Sequence, residues 1–228
     1  MTNQSYPSDA GAELYLLTVL GTPTTGSGPG SRDLHNATAG NPGGVAAAKS
    51  LGDLSHNVFL PAGEDNTKLL FLDTWNSPTG VGQFFSDAQV IEGGAALFAD
   101  RDAVLWMPAA GFGSYSLPVP SGRSVGAIGL MRAPVSSYEA ATSVFHTDSA
   151  AKINATRQLG QVAHQLWVPV PMPGSTPAVE VLGLDYWLDE DQMDEWYAQA
   201  NYDGIGSVFT GAPATSTWTP AGSDWVEW

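Results

Sequence analysis

The sequence predicts an α+β fold made of two tandem βαββαβ repeats, and three observations carry that expectation. The chain matches itself at a period of about 110 residues, the kind of internal similarity that decides an architecture before any single element does. Within each copy, apolar runs bounded by Gly and Pro alternate with stretches that open on helix-capping residues. The 26 glycines and 16 prolines imply many turns between short elements.

The repeat is read residue by residue. Leu51-Gly-Asp-Leu-Ser-His56-Asn-Val-Phe-Leu-Pro61 matches Leu159-Gly-Gln-Val-Ala-His164-Gln-Leu-Trp-Val-Pro169, Leu72-Asp73-Thr-Trp75 matches Leu184-Asp185-Tyr-Trp187, and Trp106-Met-Pro-Ala matches Trp218-Thr-Pro-Ala. Leu34-His35 aligns with Phe145-His146, so the four histidines fall into two pairs. The small change of offset between the first two matches falls in the turn at 171–177, where length is tolerated.

Tyr15 to Leu20 and Val125 to Met131 read as first strands. Ser136-Ser-Tyr-Glu139 has capping-box spacing and opens a helix to about Phe145, with a second set of turns restarting at Asp148-Ser149 and ending near Gln158. The same region of the first copy breaks at Asn41-Pro42. Leu54 to Leu60 and Val162 to Val168 alternate as second strands, placing His56 on the face of Leu54 and Val58, and His164 on that of Val162 and Leu166. Lys68 to Trp75 and Val179 to Trp187 are third strands. Ser77-Pro78 and Asp189 open the second helices, and Ala103 to Trp106 and Ala214 to Trp218 close the copies.

Each copy thus predicts a four-stranded antiparallel sheet with both helices on one face, the ferredoxin-like arrangement. The bare faces of two such sheets can pack together, so the expected whole is an intrachain pseudo-dimeric α/β barrel. Residues 1–11 are expected as a flexible tail, 12–118 as repeat 1 and 124–228 as repeat 2.

Composition narrows the function. Eight Lys and Arg against 23 Asp and Glu leave a formal charge of −15, which repels phosphate backbones and anionic membrane surfaces, so neither nucleic acid nor membrane is an expected partner. The absence of Cys excludes disulfides, thiolate nucleophiles and cysteine metal sites. The run from Leu14 to Leu20 is far short of a membrane span and lacks a basic flank, so a cytoplasmic protein is expected.

His56 with Asp73, and His164 with Asp185, are the expected catalytic pairs. Each histidine sits on a second strand beside an antiparallel third strand bearing the aspartate, and a carboxylate beside an imidazole fixes its tautomer and raises its basicity. The same residues also have an architectural reading, as half-buried histidines bonded to backbone carbonyls and aspartates capping loops. Persistence in both copies fits either reading. His35 and His146, on the first helices, and Trp75, Trp187, Phe59 and Trp167 are candidates for binding substrate, the aromatics having a core reading beside it. A site joining His35 to His56 is not expected, because about 15 residues of helix at about 1.5 Å each separate them. No short metal-ligand spacing occurs. Trp225 and Trp228 are expected to latch the last segment over a pocket mouth or onto another chain.

Other patterns match by letter and fail by context. Gly122-Arg-Ser124-Val-Gly126 leads into a strand where a nucleophile elbow opens a helix, and Ser149-Ala-Ala-Lys152 lacks the partner motifs of its family. The Gly21 to Gly30 loop lacks the phosphate-loop ending, and the acidic run from Asp189 to Glu195 reads as a solvated helix N-terminus.

The element order and the twice-repeated Leu-Gly-x-x-x-His strand start resemble the dimeric α/β-barrel superfamily, which includes antibiotic-biosynthesis monooxygenases, EthD-like proteins and muconolactone isomerases. The resemblance spans residues 12 to 220 and implies a fused pair of copies enclosing a cavity for a small aromatic or polyketide-like molecule, often without a cofactor. It does not fix one reaction; together with the His/Asp pairs, the expectation is cofactor-free oxygenation or isomerisation of a small-molecule substrate by His/Asp acid-base chemistry, with a homodimer among the expected assemblies. Two alternatives stay open: a haem- or metal-dependent oxidoreductase of chlorite-dismutase type, and a non-enzymatic carrier of a hydrophobic small molecule.

Overall fold

The computed structural model describes residues 14–63, 67–171, 178–200 and 203–228. The expected tail at 1–11 and most of the 171–177 turn lie outside the described residues. The chain divides into two compact units. The first comprises 1–107, 170–177 and 221–228, and the second 108–169 and 178–220. Each unit therefore takes the segment that follows the closing strand of the other sequence repeat.

In the first unit the elements are β1 (Tyr15–Pro23), α1 (Pro29–Ala37), α2 (Pro42–Ser50), β2 (Asp53–Pro61), β3 (Leu69–Trp75), α3 (Pro78–Phe84), α4 (Ala88–Leu97) and β4 (Phe98–Pro108). The strands run in the order β4-β1-β3-β2, each pair antiparallel, as a βαββαβ unit requires. Asn41 caps α2 by accepting from the Gly44 amide, Pro42 fills the first helical position, and the break in the first helix falls where it is expected. Ser77 caps α3 in the same way, through the Gly80 amide. Tyr15, Leu17, Val19, Leu69, Phe71 and Trp75 form a core with Ala48, Val81 and Leu97 from the helices.

The second unit contains β5 (Tyr115–Ser116), β6 (Ala127–Pro134), α5 (Tyr138–Gln158), β7 (Gln161–Pro169), β8 (Glu180–Trp187), α6 (Glu190–Gln199), α7 (Asp203–Gly206) and β9 (Ala214–Pro220). Its order is β9-β6-β8-β7, again antiparallel, with the two-residue β5 added along β7. Ala127, Trp187 and Met193 form a buried cluster against which Leu159, Trp196 and Tyr197 pack.

Two local expectations are corrected. The helix cap is Ser137, whose hydroxyl accepts from the Ala140 amide, and α5 continues without a break through Asp148-Ser149 for 21 residues. No residue there is a Pro or Gly, so nothing interrupts the ladder. Leu54 is half exposed and does not share the buried face of His56, because the β2–β3 register shifts between Asp53 and Ser55 and the bulge cancels the alternation. A matching shift lies between Gln161 and Ala163. Among the described residues no helix is long and apolar enough to cross a membrane.

Candidate functional site

The structure brings both expected His/Asp pairs together. His56 faces Asp73 across β2 and β3, and His164 faces Asp185 across β7 and β8, each directly opposite in register. His56 Nδ1 donates to Asp73 Oδ1 at 2.6 Å, and His164 Nδ1 donates to Asp185 Oδ1. From there the two sites diverge, because what meets the other ring nitrogen differs.

In the first unit, His35 Nε2 and His56 Nε2 lie 2.9 Å apart with their rings stacked at 9°. This overturns the expectation that His35 and His56 stay separate. α1 ends at Ala37 and α2 returns the chain to β2, so the intervening residues form a hairpin and not a rod. His35 shares the buried face of α1 with Ser31, one turn earlier. Its Nδ1 donates to Asn36 Oδ1 at 3.0 Å, which leaves Nε2 as an acceptor for His56. His56 then carries protons on both nitrogens, a buried imidazolium against Asp73. Burial opposes that charge, but Asp73, and beyond it Asp53 and Glu227, outweigh it and raise the His56 pKa. Burial and the neighbouring His56 charge push His35 down to about 4. Asp53, buried and close to Asp73, is pushed up to about 7 mainly by desolvation.

The 221–228 segment closes this site. His56 and Trp228 exchange both backbone hydrogen bonds, and the Trp228 indole stacks on the His56 ring at 4.6 Å. Trp225 packs on His35, Glu227 accepts from the Val58 amide, and Asn36 holds Val226 and Asp224. The expected latch is thus a cover over a histidine pair, and the His56 and Asp73 side chains retain only 5% and 7% of their exposure.

In the second unit the corresponding values are 19% and 18%. Here His164 Nε2 meets Ser149 Oγ at 2.7 Å. Ser149 lies on the inward face of α5 with Phe145, Lys152 and Thr156, at helical spacing. Asp185 Oδ2 accepts from Tyr197 at 2.9 Å. Gly129, opposite Asp185 in β6, makes that reach possible, since a Cβ there would lie 2.0 Å from the Tyr197 hydroxyl. Burial opposes protonation of His164, while Asp185 and, more weakly, Asp148 outweigh it and raise its pKa. Ser149, Lys152, Thr156, His164, Asp185 and Trp196 are among the walls of an open cavity of about 50 Å³.

The remaining candidates lie elsewhere. His146 is exposed on α5, where its Nδ1 accepts from the Gly113 amide at 3.2 Å, so it is no counterpart of His35. Trp75 and Trp187 are fully buried in the cores beneath the helices. Phe59 and Trp167 stand three residues beyond the histidines on the same strands, and hence on the opposite sheet faces. Among the described residues no group of three His, Asp or Glu side chains is placed to hold a metal. Sequence reasoning did not assign Ser149 or Asp53 to a site; Ser149 was visible only within its Ser-x-x-Lys pattern.

This fold, two ferredoxin-like repeats in one chain, is that of the α/β-barrel proteins. Neither a family model nor a curated protein matches the sequence. Among solved structures, an anthrone oxidase-like protein matches with a TM-score of 0.65 at 14% identity, covering 95% of this chain and 94% of that one. A ferredoxin fold protein related to antibiotic biosynthesis monooxygenases, from Listeria monocytogenes, matches with a TM-score of 0.52 at 9% identity over 93% and 97% of the two chains. A chlorite dismutase variant from Candidatus Nitrospira defluvii gives 0.52 at 12% identity, covering 92% of each chain.

Proposed function

We propose that the chain is an enzyme that removes a proton from a small enolisable aromatic molecule at the second unit's site, with His164 as general base. The observation that carries this reading is the contrast between two equivalent His/Asp pairs, one sealed and one opening into a cavity. Asp185 accepts from Nδ1, which leaves Nε2 as the proton acceptor of neutral His164 at the cavity wall, freed when the Ser149 hydroxyl donates to the Phe145 carbonyl, and it stabilises the imidazolium that forms on proton transfer. Tyr197 holds Asp185 in place. The cavity admits the reacting edge of a substrate, and the enolate left behind can be reprotonated at another carbon or react with dioxygen. The anthrone oxidase-like neighbour supports an aromatic ketone of the anthrone type, for which anthrone and dioxygen give anthraquinone and water.

A haem does not fit either His/Asp pair. The Nε2 of His56 is held by His35, Ser149 Oγ stands 2.7 Å from the Nε2 of His164 where an iron would have to sit, and the cavity of about 50 Å³ beside it does not enclose a porphyrin. The test is anthrone oxidation followed by absorbance. His164→Ala is expected to lower kcat by about 10²-fold or more, the usual scale for a lost general base. A wild-type rate in this variant, with the fold intact by circular dichroism, overturns the assignment.

A further inference from the structure

The geometry points to a second chemistry at the same cavity: Ser149, His164 and Asp185 form a nucleophilic triad that hydrolyses small aryl esters. Ser149 Oγ lies 2.7 Å from His164 Nε2, and His164 Nδ1 is bonded to Asp185, so hydroxyl, imidazole and carboxylate stand in the relay order that activates a serine. The carboxylate is itself fixed by Tyr197, as an orienting group must be. Ser149, His164 and Asp185 all line the cavity, so the hydroxyl is reachable. Ser149 also donates to the Phe145 carbonyl at 2.7 Å when His164 Nε2 carries a proton, and swings that proton to Nε2 when it does not. The proposal does not depend on proton abstraction from carbon; it requires only that the cavity be open.

The first unit supplies an internal contrast. There the Nε2 of the equivalent histidine meets His35, a second imidazole with no hydroxyl to activate, under a cover of Trp225 and Trp228. The nucleophile is therefore particular to the second unit. The Ser149-Ala-Ala-Lys152 pattern brings Lys152 to the same cavity wall one helical turn on, where its ammonium is bonded to both Asp148 oxygens, at 2.7 and 2.8 Å.

The reaction balances without a co-reactant other than water. Ser149 Oγ bonds to the ester carbonyl carbon as its proton passes to His164 Nε2. The bond to the phenolic oxygen then breaks, and His164 returns the proton to the leaving phenol. Water, deprotonated by His164, attacks the acyl carbon and releases the carboxylic acid and free Ser149. The cavity's size confines the acyl group to a few heavy atoms, so acetyl esters are the expected class.

The experiment incubates the intact protein with a fluorophosphonate probe and, separately, with p-nitrophenyl acetate. Expected are one label per chain, mapped by peptide mass spectrometry to Ser149, and a p-nitrophenol burst of about one equivalent. Ser149→Ala, a substitution that suits a helix interior, and Asp185→Asn are expected to lose the label and at least 100-fold of the ester hydrolysis. Absence of label, label on another serine, or full hydrolysis by Ser149→Ala overturns the proposal. Anthrone oxidation is measured on the same wild-type sample: labelled Ser149 without anthrone turnover removes the proton-abstraction reading alone, and anthrone turnover without label removes the triad alone.

Discussion

What a histidine can do in this protein is decided by the group facing its Nε2. Facing His35, His56 is held as a buried imidazolium; facing Ser149, His164 can gain and lose a proton beside a cavity. Asp185 outweighs burial and raises the His164 pKa, so the ascending acidic limb of kcat/KM is expected at a pH above the ordinary 6.5. Asp185→Asn removes that charge and leaves burial dominant, which moves the limb to lower pH while reducing its plateau; a pH–rate profile of the two proteins checks the sign. His35 has the opposite shift. Its folded-state pKa of about 4 lies below the unfolded 6.5, so its contribution to stability is complete above pH 6.5 and is lost as pH falls toward 4, by up to about 3 kcal/mol. Urea unfolding of the wild type and His35→Gln from pH 7.5 to 4 is expected to show the wild type losing stability more steeply.

At the scale of elements, the His/Asp pairs were legible because the strand pairing repeats: the same two residue types recur at matching positions of the second and third strands. The His35–His56 contact was not, because helix length along the chain says nothing about where a break folds it back. Ser149 was hidden for the complementary reason. Aligning Phe145-His146 with Leu34-His35 assumes equal helices, whereas α5 is one 21-residue helix that corresponds in chain order to two shorter ones. The bulges at Asp53 and Gln161 likewise break an alternation that sequence periodicity treats as strict. Gly129 tests the strand contribution to the site. Gly129→Ala is expected to displace Tyr197 from Asp185 and lower kcat for anthrone with little change in far-ultraviolet circular dichroism. The 221–228 segment is tested by Trp228→Ala, which removes the ring over His56; diethylpyrocarbonate modification of His56, mapped by mass, is expected to accelerate at least tenfold while His146 reacts as before.

For the whole molecule, the duplicated element order was the most legible feature, since each repeat carries its own strand boundaries and caps. The charge of −15 is legible too, and it has a thermodynamic consequence. Like charges repel more in the compact state, so raising sodium chloride from 10 to 300 mM is expected to increase Tm by roughly 2–4 °C, the scale of about 1 kcal/mol for a protein of this size. The ends of the sequence repeats were not legible, because nothing in the residues after a closing strand says which sheet they will join. Residues 108–118 join the second compact unit and 221–228 the first. Cutting the chain between the repeats would therefore give two fragments, each carrying a segment that belongs to the other's compact unit and each missing its own.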